Sequence, residues 1–245
     1  MKRILVTGGT GGLGRPTVEA LLAAKHDVLV LSREGGDGRV VGDLTSGEGL
    51  ADALQGIHTI VHLATTRSTK DPAQTRVLLE AAREAGVSHI VFISIVGVDR
   101  VPYFYYRDKV VSETLIEGSG IPFTILRATQ FHDFLGGFLS LQRRLPVLFA
   151  LNIPIQPIAV EEVAQRLVEL VAGAPAGRVA DIGGPETRSM REFAAQWQTA
   201  RGTNKPVWIM RIPGKTIGAF KAGHHTTVLP GYGTGTFAQF AKEKA

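Results

Sequence analysis

The chain has 245 residues, 20% of them charged, a formal net charge of +5 and no cysteine. A chain of this length can bury a core that needs no metal or cross-link, and the missing cysteines exclude a disulfide framework, cysteine-ligated zinc or iron–sulfur, and a thiol nucleophile. Lys and Arg are scattered, with Arg143-Arg144 the densest group, so the basic balance comes with no nucleic-acid motif and no nucleic-acid partner is expected.

The chain enters an apolar run at once, and Arg3–Thr7 reads as the first strand. Asp27–Leu31, Arg39–Gly42, Thr59–Leu63, His89–Ser94 and Phe123–Leu126 follow as strands, several of them nearly unbroken apolar runs, as strands covered on both faces require. Between them Pro16–Ala24, Pro72–Ala85 and Tyr106–Glu117 carry apolar residues at helical spacing. Strict alternation of strand and helix implies parallel pairing through right-handed crossovers, hence an α/β doubly wound sheet.

After Arg127 the rhythm changes. Phe131–Leu141 reads as a helix, Leu145–Ile158 as a Pro-rich extended piece, Val160–Val171 as a helix, Arg178–Ile182 as a strand and Met190–Thr199 as a helix. The stretch Leu145–Val160 is interrupted by Pro146, Pro154 and Pro157 and is shorter than the roughly 20 residues that a membrane-spanning helix needs. With no charged leader before the first strand, a cytoplasmic chain with no membrane partner is expected. One domain over 1–245 is expected, with 130–156 and 184–245 forming a small C-terminal substrate lobe over the strand ends, where ligands of such sheets bind. Adjacent His224-His225 lacks a third ligand, so no metal is expected.

Thr7-Gly8-Gly9-Thr10-Gly11-Gly12-Leu13-Gly14 stands between the first strand and the first helix. Glycines suit a tight turn there, a close backbone approach to a pyrophosphate, and packing of helix on strand. The free N–H groups and dipole at the helix start attract the phosphate charge. A Rossmann-type dinucleotide site follows, with Gly8, Thr10, Gly11, Gly12, Leu13 and Gly14 as its phosphate turn. An acid about 20 residues further on would bind the ribose 2′-OH, but Ser32-Arg33 stands there. An arginine attracts a 2′-phosphate, and Arg15 could reach the same group, so NADP(H) is preferred with NAD(H) as the alternative.

Further blocks continue the series: Gly42-Asp43-Leu44, His62-Leu63-Ala64, Phe92-Ile93-Ser94, Tyr105-Tyr106-Arg107-Asp108-Lys109, Leu126–Phe131 and Pro157–Ala164. In this order they resemble the short-chain dehydrogenase/reductase superfamily, in its extended and atypical branches, which include NmrA-like NAD(P)-binding proteins. The resemblance implies that Asp43, beside Leu44, caps the adenine and that Leu63 and Ala64 lie along the ribose side. It implies that Ser94 reaches the active site, that Ala128 and Thr129 touch the nicotinamide, and that Gln130, Phe131 and His132 begin the substrate contacts. Tyr105 and Lys109 match the family's YxxxK pair.

That pair has its own rationale. Residues i and i+4 share a helix face, and a nearby ammonium favours the phenolate, drawing a phenol with an ordinary pKa of about 10 toward the working range. Tyr105 would pass a proton to a carbonyl oxygen or take one from an alcohol, while Lys109 would also bond the nicotinamide ribose. One departure stands out: Ile95 follows Ser94 where the extended pattern has a second serine. The expected function is an NADP(H)-dependent oxidoreductase acting on a small carbonyl, alcohol or quinone-like molecule. The alternative is a catalytically silent NADP(H)-binding sensor or regulatory protein of the NmrA-like type. The substrate and the choice of monomer or homodimer stay open.

Overall fold

The apolar runs become strands β1 (Arg3–Thr7), β2 (Asp27–Ser32), β3 (Arg39–Val41), β4 (Thr59–His62), β5 (His89–Ile95) and β6 (Phe123–Ala128). Shorter strands follow: β7 (Leu148–Leu151), β8 (Pro154–Ile155), β9 (Gly177–Arg178), β10 (Arg188–Ser189) and β11 (Val207–Met210). The helices are α1 (Gly14–Ala23), α2 (Leu50–Ala53), α3 (Asp71–Glu84), α4 (Phe104–Glu117), α5 (His132–Ser140), α6 (Val160–Ala172), α7 (Met190–Ala200), α8 (Lys215–Lys221) and α9 (Phe237–Glu243). A computed structural model describes residues 2–66, 68–228 and 231–245.

A seven-stranded sheet runs β3-β2-β1-β4-β5-β6-β9. β1 pairs in parallel with β2 and with β4, so Thr7 stands beside both Leu31 and His62. The chain order reverses direction between β1 and β4, and at such a switch point the crevice beyond the strand ends is open to a ligand. Every residue of β4 is buried, which is why its sequence shows no alternation of polar and apolar side chains. Leu5, Ile60, Leu78, Ile90, Phe92 and Ile116 sit at the centre of the core that the helices close over this sheet.

The first of two compact units runs to Ser94 and includes Phe104–Arg127 and Val163–Ala180. Within it Arg127 at the end of β6 meets Glu113 of α4 in a bidentate pair, with Nε 2.9 Å from Oε1 and Nη2 2.6 Å from Oε2. Both side chains are buried, so each charge depends on the other, and the pair pins α4 to the sheet.

The second unit comprises Ile95–Tyr103, Ala128–Glu162 and Asp181–Ala245. It holds two small sheets, β7 with β11 in parallel and β8 with β10 antiparallel. The stretch expected as an extended piece therefore contains β7 and β8. The expected strand over Arg178–Ile182 shrinks to β9, with Ile182 forming only an isolated bridge to Ala128. Phe193, Trp197 and Phe237 build the core of this unit, and the Arg201 guanidinium lies 3.3 Å from the centroid of Trp197. Trp208, by contrast, is 59% exposed. Capping boxes start α7 (Ser189 with Glu192) and α9 (Thr236 with Gln239), each satisfying amide groups that the first helical turn leaves free.

Candidate cofactor site

The glycines between β1 and α1 fall into two kinds. Gly8 has φ +70, and a Cβ there would lie 2.7 Å from the Ala64 amide nitrogen. A Cβ on Gly14 would lie 2.1 Å from Gly8 O and 2.6 Å from Gly9 Cα. These two positions need glycine for the fold itself. Gly11 and Gly12 differ. A Cβ on Gly11 would meet only Gly8 O, at 3.2 Å, and one on Gly12 would meet nothing within 4 Å. Nothing in the protein's own packing calls for a missing side chain at Gly12, whereas a pyrophosphate drawn close to the backbone does.

The turn is ordered by its own backbone. Gly11 N donates to Gly8 O at 3.0 Å and Arg15 N to Gly11 O at 3.1 Å. The Arg15 side chain folds back, its Nε 3.1 Å from Thr10 O, which keeps a cation at the glycine turn. Leu13 is buried and its carbonyl accepts from both Thr17 N and Thr17 Oγ1, so it anchors the start of α1 and offers a ligand only its backbone.

A buried polar chain lies under the turn. Ala64 N donates to Thr7 Oγ1 at 3.3 Å, and Thr7 Oγ1 stands 2.7 Å from His62 Nδ1. His62 Nε2 is 3.2 Å from Thr75 Oγ1, which in turn donates to Asp71 O at 2.9 Å. With Thr75 donating to that carbonyl, His62 carries its proton on Nε2 and accepts at Nδ1. Burial, then the charge of Lys109, push the His62 pKa down to about 3, so the ring is a neutral spacer between β1 and α3. The sequence places His62 in the His62-Leu63-Ala64 block but gives it no role, because one histidine in an apolar run has no spacing signal.

Lys109 is buried on α4. Its Nζ is 3.3 Å from Ile93 O, 4.7 Å from the Phe92 ring centroid and 6.0 Å from that of Tyr105. Burial lowers its pKa to about 8, against the opposing pull of Asp71 and Glu113. Tyr105 Oη lies 3.1 Å from Thr65 Oγ1, and Thr65 Oγ1 is 2.5 Å from Asp71 Oδ2. Thr66 adds its amide and hydroxyl to Asp71 Oδ1 at 2.7 and 2.6 Å. Neither Thr65 nor Asp71 was expected; the only hint was Thr-Thr ahead of Asp-Pro at a helix start. Ser94 Oγ is buried and, among the described residues, has no hydrogen-bond partner, an orphan that a bound group would satisfy.

At the far end of the first unit, Arg33 is exposed beyond β2 and Ser32 Oγ accepts from Glu34 N at 3.2 Å. Asp43 Oδ1 accepts from Thr45 N at 2.6 Å, which closes the turn after β3, while Leu44 packs in the core. Leu63 is buried and its amide bonds Thr7 O at 3.1 Å. In the second unit the Thr129 amide bonds Ile182 O at 3.0 Å, Ile158 N bonds Gln130 O at 2.9 Å, and Phe131 bridges Ile158. The His132 ring is buried, with Nε2 3.1 Å from Pro157 O and edge-on to Phe237 at 5.8 Å, so it packs with the aromatic core of the second unit.

A family model described as NAD(P)H-binding matches residues 8–172. The chain belongs to this NAD(P)H-binding family. Its homologues lie among the atypical short-chain dehydrogenase/reductase, NmrA-like proteins. The NAD(P)H-binding chain is 33% identical over 165 residues to the photosystem II assembly factor Ycf39 of Cyanophora paradoxa, covering 59% of this chain and 49% of that protein. It spans about half the length of the curated relatives it matches first. Among solved structures it is similar to a nucleoside-diphosphate-sugar epimerase from Staphylococcus aureus, with TM-score 0.83 and 20% identity over 99% of this chain and 100% of that one. It is also similar to the NADPH complex of the quinone oxidoreductase QOR2 from Escherichia coli, with TM-score 0.85 and 19% identity over 98% of this chain and 99% of that one. At these identities the structures show the fold. No helix of the described residues is long and apolar enough to cross a membrane.

Proposed function

We propose that this NAD(P)H-binding protein is an NADP(H)-dependent oxidoreductase that interconverts a small carbonyl or quinone-like molecule and its reduced form. The observation that carries the reading is the buried Lys109 ammonium one helical turn from Tyr105, 6.0 Å from its ring. In that role Tyr105 moves the proton at the substrate oxygen, and Lys109 favours the phenolate and bonds the nicotinamide ribose. The cofactor, when bound, supplies or accepts the hydride. The open face of Gly11 and Gly12 receives its pyrophosphate. Arg33 and Arg15 favour a 2′-phosphate, and the solved QOR2 complex holds NADPH.

The test is NADPH oxidation followed by nicotinamide absorbance across a panel of aldehydes, ketones and quinones. Turnover of at least one class is expected. NADPH binding without turnover of any member would overturn the enzyme reading. It would favour a second one, a silent NADP(H)-binding sensor, which the likeness to a protein named an assembly factor supports. A sensor would instead bind a partner protein differently in its NADPH-loaded and NADP⁺-loaded forms.

A further inference from the structure

A hydroxyl has one proton to give, and where Thr65 gives it decides the state of Tyr105. Asp71 Oδ2 lies 2.5 Å from Thr65 Oγ1. A carboxylate there only accepts, so the Thr65 proton is committed to it. Asp71 itself is fixed, since it is buried, opens α3 and takes two further bonds from Thr66. In the 3.1 Å contact between Thr65 Oγ1 and Tyr105 Oη, Thr65 can therefore act only as acceptor, and the phenol is the donor. A phenolate has no proton to offer. The contact exists in full only while Tyr105 keeps its hydrogen.

We propose that Thr65, anchored by Asp71, is a positioning residue that holds Tyr105 in its proton-bearing form, the form that reduction of a carbonyl requires. The inference rests on the reading of Tyr105 as the proton donor and assigns the direction that reading leaves open. In reduction, a bound reduced nicotinamide would supply the hydride for the new C–H bond as the C=O π bond of the carbonyl breaks. The carbonyl oxygen takes the phenol proton, and Tyr105 regains a proton from water. The ionisable groups of the cluster pull in different directions. Lys109 on the same helix favours the phenolate, Asp71 from α3 favours the phenol, Asp108 on α4 is held up by burial and by Asp71, and His62 on β4 is neutral. Thr65 is the uncharged member that touches the Tyr105 hydroxyl, and it can be removed without changing a charge.

The test is an ultraviolet titration of phenol ionisation in the full chain without cofactor or substrate, taken as the difference between each protein and the same protein carrying Tyr105→Phe. Thr65→Val should lower the Tyr105 midpoint by about half to one pH unit, since a contact that favours the neutral form is lost. Thr65→Ala should do the same, and Thr65→Ser should restore the original midpoint. Thr65 is exposed, so these variants should keep the wild-type circular dichroism. A midpoint that stays or rises in Thr65→Val and Thr65→Ala, or a serine variant that titrates like the valine one, overturns the inference. A protein that turns over no carbonyl still gives this reading, so failure of the enzyme assignment and failure of the Thr65 assignment are told apart.

Discussion

Gly8 and Ala64 stand so close that a methyl group on Gly8 would lie 2.7 Å from the Ala64 amide nitrogen. The glycine turn and the end of β4 are thereby locked together, whereas Gly11, three residues on, faces little beyond Gly8 O. Gly11→Val should therefore fold yet lose cofactor binding, because its side chain stands where the pyrophosphate approaches. Circular dichroism should match the wild type while NADPH no longer raises the melting temperature. A variant still protected by NADPH would move the phosphate site elsewhere.

Arg33 is exposed at the end of β2, in the place where an acid would select the unphosphorylated ribose. Arg33→Ala should weaken NADPH binding by about 1.5–3 kcal/mol, the worth of a charge-assisted hydrogen bond, and leave NADH affinity nearly unchanged. Calorimetry with both cofactors reads the difference. Equal losses for the two would remove Arg33 from the 2′-phosphate.

Tyr105→Phe deletes one hydroxyl from a ring that is partly buried, so fold and NADPH affinity should survive. Turnover should fall by about 10²–10⁴, the usual contribution of a positioned acid–base group. Lys109→Ala should lose activity and cofactor affinity together. Steady-state kinetics set beside binding isotherms separate the two. Undiminished turnover in Tyr105→Phe would pass the proton role to another group.

His62 should make the fold acid-sensitive. Its pKa falls from 6.5 in the unfolded chain to about 3 in the buried site, so between these values the unfolded state binds the extra proton. The stabilisation is complete above pH 6.5 and drains away as the pH drops toward 3, amounting to ~2 kcal/mol lost by pH 5. His89 and His225, each lowered to about 4 mainly by burial, act in the same direction. Urea midpoints measured from pH 7 to pH 5 should fall less steeply in His62→Gln than in the wild type. Parallel slopes would mean that His62 takes up its proton without unfolding the chain.

The Arg127–Glu113 pair should show the asymmetry of a buried ion pair. Arg127→Ala leaves the Glu113 charge without its bidentate partner and should cost about 3–5 kcal/mol. Replacing both residues by apolar ones should recover much of that loss. Chemical denaturation of the single and double variants checks it, and an additive result would contradict the coupling.

The parallel sheet was legible because its strands are covered on both faces, which turns β1, β4 and β5 into apolar runs. The glycine turn was legible because a tight turn with close backbone approach needs residues without side chains, as at Gly8 and Gly14. β7 and β11 were not. Each has four residues and a partner far away in the chain, and with Pro146 and Pro154 beside it β7 merged into one Pro-rich extended piece. The site was legible where a spacing marks it, as in Tyr105 with Lys109. It was illegible where chemistry depends on contacts across elements, as in Thr65 with Tyr105 or Thr7 with His62. The packing of His132 was illegible for the same reason, since only the folded chain brings Phe237 and Phe240 against its ring.

The chain has two tryptophans, and both Trp197 and Trp208 belong to the second unit. Trp197 is sealed between Arg201 and the aromatic core, while Trp208 is open to water. Intrinsic fluorescence is thus a private signal of that unit, composed of one blue-shifted and one red-shifted emitter, and it is blind to the parallel sheet. Amide circular dichroism reports on the helices and strands of both units. The two optical signals recorded during one melt therefore act as separate thermometers. A gap between their midpoints would show that the second unit does not melt together with the whole chain.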